Sequence, residues 1–205
     1  MKQVAPGDIY NAHARKHGWD AHCDAPDVFA WPGFAPLLSL WRDLRNGAVL
    51  PRRSAMTARR LKDVLPDIAL YEKVAPGSPG VWRVRLVGTE FAQVYGEHAG
   101  KLLNECLMPG PAFRFQVGLD EVMEALRPLR FIARADCVDR KFVSGEFCAL
   151  PLADEQDRPS MVLLCARFST VPFEDFLAEV SASDAQAKSR ARALRVSEPS
   201  TAMCP

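Results

Sequence analysis

Val81–Gly100, with the sequence VWRVRLVGTEFAQVYGEHAG, is the stretch that decides the fold of this chain. From Trp82 to Leu86 every second residue is apolar and the residues between are arginines, which is the period-2 pattern of a strand with one buried face. A Gly-Thr pair then ends the strand, and Thr89 is suited to cap a short apolar helix at Glu90–Tyr95. The stretch therefore predicts a strand that leads into a short helix folded over one face of a sheet.

The elements on either side complete this sheet. Upstream, Asp67–Val74 has the composition of a strand, and the Pro/Gly-rich turn after it predicts an antiparallel hairpin with the strand at 81–87. Downstream, Phe113–Leu126 carries an apolar stripe with helical spacing and predicts the longest helix. Short polar turns separate three further predicted strands, Leu129–Cys137, Val143–Leu152 and Ser160–Thr170. This order predicts an α+β fold, a five-stranded antiparallel sheet with short helices on one face.

Two amphipathic helices flank the predicted sheet, at Pro36–Asn46 and Pro172–Val180. We divide the chain into an N-terminal arm at 1–34, a domain at 35–171, and a C-terminal amphipathic helix with a mobile tail at 172–205. The flanking helices can pack on their own sheet or on a second copy of the chain, and the pattern does not distinguish these arrangements.

Composition excludes several classes of function. The net charge of +1 over 205 residues gives no general attraction to nucleic acid, and no apolar run is long enough to span a membrane. The N-terminus lacks the apolar segment of a signal peptide and the six cysteines form no CxxC pair, so we expect a cytoplasmic protein with reduced thiols. The densest basic cluster indicates either an anion-binding patch or, more simply, a solvated surface, and consists of Arg52, Arg53, Arg59, Arg60 and Lys62.

Several residues between about positions 37 and 170 form one set of motifs: Trp41, Gly47, Pro51, Arg53, Leu65-Pro66, Ile68, Arg85–Thr89, Gly96 and Gly100. Through these residues the chain resembles the PAS-like family of bacterial regulatory proteins. One segment departs from the family pattern, SAMTAR at 54–59, where an acidic residue followed by proline is expected. PAS domains sense small ligands, carry chromophores, or serve as dimerisation and docking modules, and the resemblance does not distinguish among these roles.

A ligand of such a domain would lie between the sheet and the long helix. In that position it would contact apolar side chains, and the same side chains fill the core if there is no ligand. The lining predicted for this pocket is Phe91, Tyr95, Leu103, Phe115, Leu119, Cys148 and Cys165.

Two common cofactors do not suit this sequence. A flavin photosensor that forms a cysteine adduct needs its cysteine directly after the glycine turn, whereas Cys106 lies six residues beyond Gly100 and lacks the neighbouring arginine. A haem sensor usually takes its ligand from the long helix, which contains no histidine; His98 lies in a loop before it. In the arm, His13 and His17 have the i, i+4 spacing of metal ligands, with His22 shortly after, but so weak a pair favours a solvated polar arm over a metal site.

Together these features predict a stand-alone PAS-like sensory or regulatory module that acts through protein–protein contacts, tuned by a small apolar ligand. We expect a homodimer and a regulatory protein partner. The alternative is a ligand-free dimerisation or adaptor protein. A small enzyme that uses His98 or a cysteine is less favoured, because the chain has no GxSxG, P-loop or HExxH motif.

Overall fold

The structure is a computed structural model that describes residues 5–26, 29–74, 80–137 and 140–196. Its strands are β1 (Ala21–Asp24), β2 (Ile68–Lys73), β3 (Trp82–Val87), β4 (Leu129–Cys137), β5 (Arg140–Ala153) and β6 (Pro159–Ser169). The helices of these residues are α1 (Asp8–His17), α2 (Phe34–Arg45), α3 (Thr89–Tyr95), α4 (Leu103–Cys106), α5 (Pro109–Ala125) and α6 (Phe173–Val196). Among them, no helix combines the length and the apolar character needed to cross a membrane.

One antiparallel sheet contains all these strands, in the order β1-β4-β5-β6-β2-β3. The α+β class is confirmed, and so is the predicted hairpin of β2 and β3, whose turn at 75–79 lies outside the described residues. The strand number, predicted as five, was wrong, because β1 from the N-terminal arm pairs with β4 at the sheet edge. β1 has four residues and one buried side chain, Cys23, which is too little alternation for a pattern to indicate a strand.

Helices cover both faces of the sheet. The inner face packs against α1, α3, α4 and α5, with Tyr10, Phe91, Leu103 and Leu119 among the buried side chains. The outer face packs against α2, whose Trp41 donates a hydrogen bond from Nε1 to a strand carbonyl 2.9 Å away. α6 covers the neighbouring part of the outer face. Both flanking helices therefore pack on their own sheet.

A buried charge network attaches α6 to the outer face. Arg130 on β4, with 3% of its side chain exposed, pairs bidentately with Asp24 on β1 and with Asp184 on α6. Its guanidinium also lies 3.7 Å from the carboxylate of Glu146, which is fully buried. Glu146 in turn accepts hydrogen bonds from the backbone N–H groups of residues 30 and 31, so one arginine connects α6, the sheet and the arm.

The arm is also attached on the inner side. Glu121 of α5 accepts hydrogen bonds from the backbone N–H groups of Gly7 and Tyr10, where a carboxylate stabilises the N-terminus of α1. The Asn11 carboxamide accepts a hydrogen bond from the Cys23 N–H and donates one to the Cys23 carbonyl, at 2.8 and 2.7 Å. These bonds satisfy the edge of β1, which would otherwise be free to pair with another strand.

Two helix bounds differ from their predictions. α5 begins at Pro109, whereas the Pro-Gly-Pro sequence was expected to precede the helix. Proline suits the first turn of a helix, because the N–H group that it lacks would have no hydrogen-bond partner there. α6 continues from Phe173 to Val196 rather than ending at Val180, so the predicted mobile tail does not begin directly after that residue. Residues 197–205 lie outside the described residues.

Candidate ligand cavity

A cavity of about 50 Å³ lies between α5 and the inner face of the sheet. The sequence predicts a ligand pocket at this position. Residues of α1, α3, α5 and three strands line the cavity. Its lining consists of Tyr10, Tyr95, Arg114, Phe115, Gly118, Leu119, Phe131, Ala133, Phe147 and Leu164.

Aromatic packing gives the cavity its shape. Tyr95 and Phe115 meet edge to face with their ring centroids 5.2 Å apart, an arrangement that aromatic rings prefer. On the other side, Tyr10 and Phe131 meet in the same way at 4.9 Å. Gly118 lies directly beneath this second contact, where a Cβ atom would lie 3.3 Å from the ring of Phe131 and 3.4 Å from that of Tyr10 and would displace the rings slightly.

One charged side chain reaches this apolar lining. Arg114 is only 4% exposed, and its Nη2 donates a 2.8 Å hydrogen bond to the backbone carbonyl of Arg134 on β4. A guanidinium carries five N–H donors in a planar fork, and the bond to Arg134 is one of the interactions that this side chain makes. The cavity therefore has one strongly polar corner, while aromatic and aliphatic groups form the rest of its wall.

A second cavity of about 10 Å³ adjoins the same helices. Phe91 and Leu103 line it together with Tyr95 and Phe115, so these two predicted residues lie next to the main cavity and not in its wall. A space of this size holds about one water molecule. It is a packing defect and not a ligand site of its own.

The prediction that Cys148 and Cys165 line the pocket was wrong in its geometry. They are register partners on β5 and β6, and both side chains are fully buried on the outer face beneath α2. Burial raises the pKa of the Cys165 thiol to about 12, and it also raises the pKa of Cys148. Both thiols are therefore neutral packing groups at physiological pH.

Cys106 and His98 both line the smaller cavity, but the structure gives no activated pair. The Cys106 thiol donates to the carbonyl of Leu102 at 3.2 Å, and burial raises its pKa, whereas a nucleophilic cysteine needs a lowered pKa. The Nδ1 atom of His98 is buried and has no hydrogen-bond partner among the described residues. Neither side chain is held as a thiol–imidazole catalyst requires.

The histidines of the arm form an aromatic stack. The rings of His13 and His17 are nearly parallel, 5.9 Å apart, and both lie against Trp19 and Phe113. His22 lies on β1, 3.9 Å from the carboxylate of Asp24. Across the described ranges, no three His, Cys, Asp or Glu side chains are grouped as metal ligands.

Sequence reasoning missed seven residues of the cavity wall, which are Tyr10, Arg114, Gly118, Phe131, Ala133, Phe147 and Leu164. Arg114 and Gly118 share one face of α5, four residues apart, and this spacing was the available signal. An arginine between two phenylalanines is normally assigned to the solvated side of a helix, since arginine is rarely buried. Tyr10 comes from the arm, which has no local pattern that predicts contact with the core.

Comparisons with known proteins bear on the fold. A family model described as a PAS domain matches residues 32–166. Among solved structures, an RNA-binding light-oxygen-voltage receptor is 15% identical, with a TM-score of 0.39, over 69% of this chain and 40% of that one. A sensory box histidine kinase/response regulator from Burkholderia thailandensis E264 is 14% identical, with a TM-score of 0.36, over 68% of this chain and 99% of that one. No curated protein gives a significant match.

Proposed function

Because the chain belongs to the PAS domain family, we propose that it is a sensory and regulatory module whose signal is a small molecule bound between α5 and the sheet. The observation that carries this proposal is the cavity of about 50 Å³ at that position. Its apolar wall with one polar corner has the composition of small-molecule sites, in which a few polar groups fix the orientation of the ligand. Bound ligand would change the contacts that the module makes with a partner protein.

The ligand-free adaptor is less well supported. That hypothesis required the two amphipathic flanking helices to offer their apolar faces to a second copy or a partner. Phe34 and Trp41 of α2 and Phe176 of α6 are instead buried against their own chain. The expected homodimer remains a prediction, and it would need a surface other than these faces.

The test compares protein purified gently from cells with the same protein after complete unfolding, dialysis and refolding. A ligand that binds the folded state raises its stability by mass action, so the gently purified sample is expected to melt at a higher temperature. In Ala133→Val, two added carbon atoms project into the cavity, and the difference between the samples is expected to disappear.

Cys165→Ala is the matched control, because it changes a buried side chain on the outer face of the same sheet and leaves the cavity intact. It should keep the difference in melting temperature. Equal melting temperatures for both wild-type samples would contradict the ligand proposal and favour the adaptor.

A further inference from the structure

We infer that the outer face of the sheet carries a second binding site, which takes a free aliphatic acid with its hydrocarbon end in an apolar cavity and its carboxylate on Arg53. This outer cavity lies between the sheet and residues 51–67, the segment that connects α2 to β2. It shares no lining residue with the cavity beneath α5, so the inference does not depend on a ligand there.

The wall of the outer cavity is almost entirely aliphatic. Leu70 of β2 lies in register with Leu86 of β3 and with Leu163 of β6, so three leucines form a continuous floor. The rest of the lining is Arg53, Met56, Ala58, Leu61, Leu65, Ile68 and Leu152. The lining that the structure describes includes no aromatic ring and no charged or hydrogen-bonding side chain other than Arg53. An occupant of the interior is therefore held by hydrophobic and dispersion contacts.

Cationic side chains surround the opening of this cavity. Ala58 is exposed and Leu86 is half-buried, so solvent reaches the lining from their side. Arg59 and Lys62 each follow a lining residue directly in the chain, and both are exposed. Residues 52–67 carry five cationic and two acidic side chains, a net charge of +3, in a chain whose total net charge is +1. Charge complementarity therefore favours an anionic group at the opening.

Arg53 is the cation best placed to hold this anionic group, because its side chain belongs to the cavity wall. Its Nη1 donates a 3.0 Å hydrogen bond to the carbonyl of Met56, which orients the guanidinium beside the opening. Among the described residues Arg53 has no carboxylate partner, whereas its neighbour Arg52 is paired with Asp157 at 2.7 Å. The planar fork of a guanidinium matches the two oxygens of a carboxylate.

The size of the outer cavity limits the part of the ligand that enters it. The cavity measures about 40 Å³, and one water-sized group needs about 10–15 Å³, so about three or four methyl or methylene groups fit. An extended chain enters end-on, whereas an aromatic ring would have to displace the leucines of the floor. The carboxylate stays at the opening, because the leucines offer its oxygens no hydrogen-bond donor.

This surface suits a free acid better than a lipid bilayer. Segments that bind a bilayer surface combine cations with exposed aromatic or large aliphatic side chains that enter the lipid. The exposed large hydrophobic residues of the described chain include none from 52–67, and Val49, which is 62% exposed, is the nearest in sequence. The site is therefore assigned to an acid that binds from solution.

The test is a titration of the whole chain with hexanoate, followed by NMR of carbon-13 labelled methionine methyl groups. Met56 lines the outer cavity and Met123 lies in the core beneath α5, so their signals distinguish the two faces of the sheet. Met56→Leu and Met123→Leu assign these signals. Because the buried chain is short, we expect weak and freely exchanging binding that shifts the Met56 signal saturably and leaves the Met123 signal in place.

Acetate and hexanamide test the two ends of the ligand at constant ionic strength. Each buried methylene adds about fourfold to affinity, so hexanoate should bind at least tenfold more tightly than acetate. Hexanamide lacks the charge and should bind at least fivefold more weakly than hexanoate, because a charge-assisted hydrogen bond is the stronger one. A hexanoate shift of Met123 without Met56, or equal affinity of hexanoate and either of these compounds, would overturn the inference.

Variants separate the role of Arg53 from that of net charge. Arg53→Gln is expected to weaken hexanoate binding at least fivefold, whereas Arg127→Gln, which removes the same charge from an exposed position after α5, should leave it within about twofold. Arg53→Lys keeps the cation and should bind more tightly than Arg53→Gln. Equal weakening by the two Gln variants would overturn the assignment; if Arg53→Gln does not fold, the comparison of hexanoate with hexanamide on the wild type decides.

Sedimentation with vesicles tests the other source of an aliphatic chain. Vesicles of phosphatidylglycerol and phosphatidylcholine are expected to leave the protein in the supernatant at physiological ionic strength. Sedimentation of the wild type that is lost in the double variant Arg59→Gln with Lys62→Gln would overturn the assignment to a free acid and identify these cations as a membrane-binding surface.

Discussion

Replacing Arg130 with methionine should be among the most destabilising single changes in this chain. The substitution keeps a long apolar side chain but removes the cation that joins Asp24, Asp184 and Glu146. Glu146 is 0% exposed and would keep its two backbone N–H donors and the weaker electrostatic attraction of Arg167. Breaking a buried pair by removing one partner costs about 3–5 kcal/mol, because the other charge stays buried.

Equilibrium unfolding in urea measures this cost. We expect the free energy of unfolding to fall by about 3–5 kcal/mol with an unchanged m-value, which corresponds to a drop in melting temperature of roughly 6–20 °C for a chain of this length. Arg134→Met is the matched control, since Arg134 lies on the same strand and pairs with Asp20, but 47% of its side chain is exposed. An exposed ion pair contributes about 0–1 kcal/mol.

Two results would refute this reasoning. If Arg130→Met lost less than about 1 kcal/mol, the network would contribute no more than an ordinary surface pair. If Arg134→Met lost as much as Arg130→Met, burial would not be the reason for the cost. A double variant, Arg130→Met with Glu146→Leu, should recover part of the loss, because it removes the uncompensated carboxylate as well.

Three further predictions concern other contacts of the fold. Burial raises the pKa of Glu121 above its usual 4.5, so the folded state holds this proton to higher pH. The unfolding free energy of the wild type minus that of Glu121→Gln should therefore fall as the pH rises above about 4.5, and an increase would contradict the pKa direction. Gly88→Ala would place a Cβ against two backbone carbonyl oxygens and should lower the free energy of unfolding by about 1–3 kcal/mol, measured by a thermal melt. Gly110→Ala is the control, because a Cβ there has no neighbour within 4 Å, and it should change stability by less than about 1 kcal/mol. Equal effects of the two variants would refute the steric argument. Asn11→Ala removes both side-chain bonds to the edge strand, so the Cys23 amide should exchange with solvent at least tenfold faster, and unchanged exchange would show that another group protects it.

The sequence allowed the sheet to be predicted because its strands have simple alternation and short turns. The bounds of β4 match the prediction, and those of β5 and β6 differ by a few residues. The face on which each residue lies could not be predicted in the same way. Helices cover both sides of the sheet, so both sets of alternate residues are apolar, and Cys148 looks as suitable for the cavity as Phe147 beside it. Only the positions of the helices distinguish the two faces.

The candidate site was predictable where it uses ordinary core residues. Tyr95, Phe115 and Leu119 line the cavity as expected, since they lie on helices whose apolar stripes are clear. The contributions of Tyr10 and Arg114 depend on long-range contacts: Tyr10 is placed by an arm fixed through Glu121, and Arg114 by a bond to a carbonyl on β4. No local pattern contains that information.

Native mass spectrometry of the protein purified directly from cells, together with an absorbance scan, tests the central claim most directly. The account predicts a bound small molecule on the wild type and on Cys165→Ala, and its absence on Ala133→Val. The same spectrum gives the mass of the assembly and so tests the expected homodimer. A wild-type protein that carries no small molecule and no absorbance beyond that of its aromatic residues would contradict the claim that this module binds a ligand between α5 and the sheet.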